Sequence, residues 1–156
     1  MSAIHVLATV VGGGIGGGGR GRSGETWGSA GSSRVLSLPP ALADLLVWCL
    51  CKVHRHADAI LVTQMMLPAE LNKHVGLLVE QCGSLDAQRA SWLWNLDVLE
   101  HLTRALDERD DVGRLSWVLA AIARPQLNCN NPDSIRAPFA LRLTQQFLLT
   151  LLRTYA

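Results

Sequence analysis

Apolar residues recur along this chain at α-helical spacing, and the longest such run lies between Glu80 and Asp111. There Trp92, Leu96, Leu99, Leu102 and Leu106 stand three or four residues apart, which puts them on one stripe of a 3.6-residue helix. Asp86, Gln88, Asn95, Arg104 and Asp107 fall mostly off that stripe. Gly83 is a natural end for the helix before it, and Ser84 or Asp86 supplies an oxygen to cap the new one. The charged run from Asp107 to Asp111 closes it.

The same pattern predicts helices on either side. Pro39 and Pro40 suit a first turn, where a missing N–H costs nothing. Residues 41–53 are apolar almost all round, which predicts a helix inside the domain. Residues 57–67 form a second helix with Ile60, Leu61 and Met65 inward, stopped by Pro68. Residues 69–82 form a third, whose inward face is Leu71, Val75, Leu78, Val79 and Cys82. Asp110 or Asp111 caps a helix over 112–123 with Leu115, Val118, Leu119 and Ile122 inward. Residues 126–137, with Asn128, Asn130, Asn131, Pro132 and Asp133, read as a turn-rich connector. Pro138 then opens a last helix to Tyr155, with Leu141, Leu148, Leu152 and Tyr155 on one side. No alternating strand pattern interrupts them. Six helices on short links predict an all-α domain over 37–156: antiparallel helix pairs, α-solenoid-like in the ARM/HEAT manner.

Composition changes the picture mainly at the N-terminus. Gly, Ser and Arg dominate residues 12–34, so residues 1–36 read as a disordered tail that buries too little surface to offset its ordering entropy. The remainder is consistent with one domain: 49% of the 156 residues are hydrophobic and 17% charged. A net charge of +1 gives no overall pull toward nucleic acid or membrane. No apolar run reaches the roughly 18 residues of a membrane span. The N-terminal apolar stretch has no Lys or Arg before it, which argues against a signal peptide. Cys49, Cys51, Cys82 and Cys129 make no disulfide framework, so a reducing, cytosolic setting is the default expectation.

Candidate chemistry is sparse. Gly12, Gly14 and Gly17 satisfy G-x-G-x-x-G, but the residues that follow will not form the helix a dinucleotide site requires. Gly18 to Arg22 offers too few arginines for more than weak phosphate contact. Cys49, Cys51, His54 and His56 have the types of a zinc site, but on one helix the two thiols point about 200° apart. Core thiols beside solvent-facing histidines are the simpler reading. No catalytic set stands out, and neither a cofactor nor a metal is expected. Trp92 and Trp94 flank Leu93, so on a straight helix one of them faces outward as a partner anchor. Trp117 raises the same question. Trp94, Arg104, Arg114 and Trp117 are therefore the expected protein-binding residues, on an apolar and basic face.

Several short runs resemble the C-terminal α-helical domain of the enhancer-of-mRNA-decapping scaffold, the Varicose/Hedls family. They are Leu78-Val79-Glu80-Gln81-Cys82, Leu99-Glu100, Leu106-Asp107 and Asp110, preceded by Pro68 and by Leu46-Val47-Trp48-Cys49. Asp111 stands where that family usually has proline. The resemblance implies a non-enzymatic, self-associating scaffold module that contacts decapping factors in cytoplasmic processing bodies, without direct nucleic-acid binding. Two alternatives stand beside it. One is a small helical bundle holding an apolar ligand or a metal. The other is a truncated helical fragment whose apolar faces need missing segments.

Overall fold

The computed structural model describes residues 37–155. The tail assigned to 1–36, with its glycine pattern and Arg/Gly run, lies outside them. All regular structure among the described residues is helical: α1 (Pro40–Lys52), α2 (His56–Thr63), α3 (Pro68–Leu71), α4 (Val75–Gln81), α5 (Ala87–Ala90), α6 (Leu96–Asp107), α7 (Val112–Ile122) and α8 (Asp133–Tyr155). Short 3₁₀ turns at Asn72–His74, Cys82–Ser84 and Pro125–Leu127 join some of them. The fold is the expected all-α arrangement of helix pairs in solenoid style. α1 packs on α2, α2 on α4, α4 on α6 and α6 on α7.

Two hairpins close in the same way. After α1, Arg55 N–H reaches back to the Leu50 carbonyl (2.8 Å) and His54 N–H to Cys51 (3.1 Å). After α6, Asp111 N–H reaches Leu106 (3.0 Å) and Asp110 N–H reaches Asp107 (3.0 Å). Each is a Schellman closure, which needs a left-handed residue just past the helix. His54 (φ 56°) and Asp110 (φ 54°) take that conformation without being glycine.

Several element expectations are corrected. The long helix expected from Leu85 onward is two helices, α5 and α6, separated by a turn over 91–95. The expected third helix is α3 and α4 with a 3₁₀ turn between them. α1 does not lie inside the domain: Ala43, Leu46, Val47 and Leu50 are buried, while Leu45 and Trp48 on its other side are exposed. In α7, Val118 and Ala121 face inward, while Leu119 and Ile122 do not. Both helices are apolar on two faces, so periodicity alone could not choose the buried one. α8 begins at Asp133 rather than Pro138. Pro138, its sixth residue, removes one N–H bond near the start, where little of the helix depends on it. The inward face of α8 is Phe139, Leu143, Phe147 and Leu151, four residues apart, with Leu148 beside them.

A buried carboxylate ties α5 to α2. Asp58 is only 3% exposed and accepts from Arg55 (Nε, 2.8 Å; Nη2, 2.7 Å) and from Arg89 Nε (2.7 Å). Both oxygens are therefore paired, the condition under which a buried charge is tolerated. Arg89 also pairs with Asp86, which caps α5 by accepting the Arg89 N–H (2.8 Å).

Candidate protein-interaction surface

The surface is organised by the turn that breaks the expected helix. Gln64, at the end of α2 and 1% exposed, grips this turn from both sides. Its Nε2 donates to the Trp92 carbonyl (3.1 Å), and its Oε1 accepts the Trp94 N–H (3.0 Å). Arg124 Nη1 donates to the Leu93 carbonyl between them (3.1 Å). Asn95 Nδ2 donates to the Gln64 backbone carbonyl (3.2 Å), while Asn95 Oδ1 caps α6 by accepting from Asp97 N–H (2.9 Å) and Val98 N–H (3.3 Å). Buried backbone groups need partners, and here side chains about 30 residues away supply them in place of a helix.

The turn lets all three large residues pack. Leu93 is fully buried, and Trp92 and Trp94 both lie half-buried against the core. The Trp92 and Phe147 rings are 6.2 Å apart, and Trp94 Nε1 donates to Thr144 Oγ1 (3.1 Å). Neither Trp is the fully outward anchor that a straight helix requires.

Trp94 forms a wall of a groove of about 300 Å³. Met65, Met66, Leu67 and Leu127 make much of its apolar lining, and Asn95, Asp97, Asp133 and Arg136 add polar edges. Arg136 Nη2 pairs with Asp133 (2.8 Å), and its Nε is buried without a hydrogen-bond partner. On the other side of Leu96 lies a second, more open hollow of about 420 Å³, formed with Glu100, Thr103, Arg104, Asp107 and Ile122. Arg104 is 66% exposed there and pairs with Glu100 (3.3 Å).

The four expected binding residues are not brought to one site. Trp94 and Arg104 line adjoining hollows that share Leu96. Arg114 instead braces the domain: its Nε donates to the Leu85 carbonyl (3.0 Å) and its Nη1 to Asp111 Oδ2 (2.7 Å). Trp117 is partly exposed on α7 and lines neither hollow. Gln64, Asn95 and Asp97 also line the groove, Gln64 from beneath, and were not among the expected residues. A sequence signal existed only for Asn95, a capping residue directly before an apolar periodic run.

Electrostatics reinforce the caps. Burial pushes the Asp86 carboxyl up, but the Arg89 N–H and guanidinium outweigh it and hold the group below its ordinary value. The Arg114 N–H and guanidinium likewise hold Asp111 down. Burial raises the Cys51 thiol above its ordinary value, which favours its neutral form. Cys49 and Cys51 are half-buried on α1, and the His54 and His56 rings meet edge-on at 6.0 Å. Among the described residues, no group of three or more His, Cys, Asp or Glu is placed to hold a metal ion.

A family model described as "INTS8, TPR repeats" matches residues 41–155. The chain belongs to this INTS8 TPR-repeat family. The match runs from α1 to the end of α8 and gives the helix pairs their repeat type. Curated relatives are Integrator complex subunit 8 of Xenopus laevis and of Homo sapiens, each 23% identical over 112 residues. Those residues are 70% of this chain but 11% of each relative, so the chain spans only a small part of the relatives' length. No solved structure matches. These findings overturn the resemblance to the decapping scaffold, and with it the decapping partners, the mRNA-decay role and the placement in cytoplasmic processing bodies. The runs behind that resemblance contain Leu78, Cys82, Leu99 and Leu106, buried packing positions of the kind any helical repeat supplies. A protein-interaction module is the class that TPR repeats support.

Proposed function

We propose that this chain is a non-enzymatic TPR-type module that binds protein partners within an Integrator-type complex. The observation that carries this reading is the family match across the whole helical region, residues 41–155. The name of the curated relatives, Integrator complex subunit 8, supplies the kind of complex. The contact surface we assign is the Trp94 groove together with the Arg104 hollow beside it. An apolar partner side chain would lie against Trp94, Met66 and Leu127, while Asp97 and Arg104 at the edges would select charged neighbours.

The test is affinity capture with the full chain as bait, reading whether other Integrator subunits are retained. Asp97 and Arg104 are both exposed, and Asp97→Asn with Arg104→Gln removes both charges at nearly constant size without placing a like charge beside Glu100 or opposing the helix dipole. Retention should fall by roughly tenfold or more in that variant. A wild-type bait that retains no Integrator subunit would remove the reading. Equal retention by the variant would move the contact surface elsewhere.

A further inference from the structure

The two outer faces of the packing order match each other. On α1, Ala41, Leu45, Trp48 and Lys52 follow at spacings of four, three and four, so they form one stripe, and all four are exposed. Trp48 is 59% exposed, and the Lys52 ammonium sits over its ring at 5.6 Å. On α7, Val112, Leu115, Leu119 and Ile122 form the corresponding stripe. Val112 is 73% exposed and Leu119 47%, with Leu115 half-buried. These helices are the two extremes of the order α1–α2–α4–α6–α7. In a solenoid each repeat buries its outer apolar face on a neighbour, and among the described residues these two stripes have none.

The stripes also agree in length and charge. Each spans about 15 Å at 1.5 Å per residue. The α1 stripe ends in a cation at the helix C-terminus. The α7 stripe starts beside Asp107, Glu108 and Asp110, all exposed, with Arg109 the one base among them. Glu100 and Arg104 nearby already pair with each other. Laid antiparallel, the stripes bring Lys52 to the acidic N-terminal end of α7 and set apolar residues against apolar residues. Helix dipoles favour the same orientation.

We propose that this chain stacks head to tail on a second copy of itself, α1 of one molecule seated on α7 of the next. This rests on the interaction-module reading and names one partner for it. The contact is heterologous, so each molecule keeps one free α1 face and one free α7 face, and short open stacks form.

The test is sedimentation velocity of the full chain across a wide concentration range. Wild-type protein should grow from monomer through dimer to longer stacks as concentration rises. Trp48→Glu and Leu119→Glu should each weaken this association by roughly thirtyfold or more, the loss expected of a central apolar anchor. Mixed in equal amounts, the two variants should give dimers and nothing longer, because one intact α1 face meets one intact α7 face. Lys52→Glu, fully on the surface, gives a second, milder α1 variant whose folding is not at risk. Folded single variants that fail to dimerise when mixed would overturn the proposal, as would wild-type protein that is monomeric throughout. Monomeric wild-type protein that still retains Integrator subunits would end the stacking proposal and leave the interaction-module reading standing.

Discussion

The α1–α2 and α6–α7 hairpins differ in kind from the stretch that joins them. Each hairpin has two helices of at least eight residues, a turn of three or four residues, and a left-handed residue that returns the chain along itself. Their closures use backbone bonds between neighbours in sequence. The joining stretch has short helices, 3₁₀ turns and the Trp92–Asn95 turn. It is held by Gln64, Arg124 and the Asp58–Arg89 pair, contacts made across about 30 residues. Local pattern is enough to shape a hairpin. Distant polar side chains are needed to shape the piece between hairpins, and that piece carries the groove.

The hairpin core is the most sensitive region to truncation. Leu102 is fully buried on α6, so Leu102→Ala should cost about 3–4 kcal/mol in a urea titration. A loss under 1 kcal/mol would mean that α6 does not anchor the core. Next comes the clamp. Gln64→Leu keeps the volume but leaves the Trp92 carbonyl and the Trp94 N–H without their partner. Stability should fall by about 3 kcal/mol, with a change in tryptophan fluorescence that Leu102→Ala does not reproduce. A silent Gln64→Leu would show that the turn stands without the clamp.

Smaller effects separate the two regions further. Asn95→Ala removes the α6 cap and should cost about 1 kcal/mol, read from the shift in the urea midpoint. Asp110→Gly should stabilise the α6–α7 hairpin by about 0.5 kcal/mol, because glycine takes the left-handed conformation without steric cost. Acid provides the last test. Asp86 and Asp111 have folded values held below the ordinary 3.8. Their contribution is therefore complete above that value and is lost as pH falls through the lowered folded values. Asp86→Asn and Asp111→Asn should each flatten the acid limb of a stability-versus-pH curve. An unchanged limb would mean that neither cap is sensed in folding.

Legibility followed the same division. α1 and α7 match their expected boundaries to within a residue or so, and Asp86 and Asp111 were both readable as caps. Neither outer helix revealed its buried side, because Trp48 and Leu119 are as apolar as the residues packed inside. The groove was hidden. Trp92 fits the stripe of Leu96, Leu99, Leu102 and Leu106 well enough to conceal a turn, and nothing near it in sequence announces Gln64.

Helicity, the approximate place of most helices and the leucines that recur at core spacing can be read from the chain without its fold. Those properties depend on neighbours within one or two turns, and a 3.6-residue period records them directly. Which face of α1 and of α7 is buried, where the long helical run breaks, and that Trp94 borders a groove are set by packing. Each of these depends on groups brought together from distant parts of the chain: Gln64 on the Trp92–Trp94 turn, Asp58 between Arg55 and Arg89, Thr144 beneath Trp94. A buried polar group takes whichever partner the packing delivers, and that choice leaves no periodic trace in the sequence.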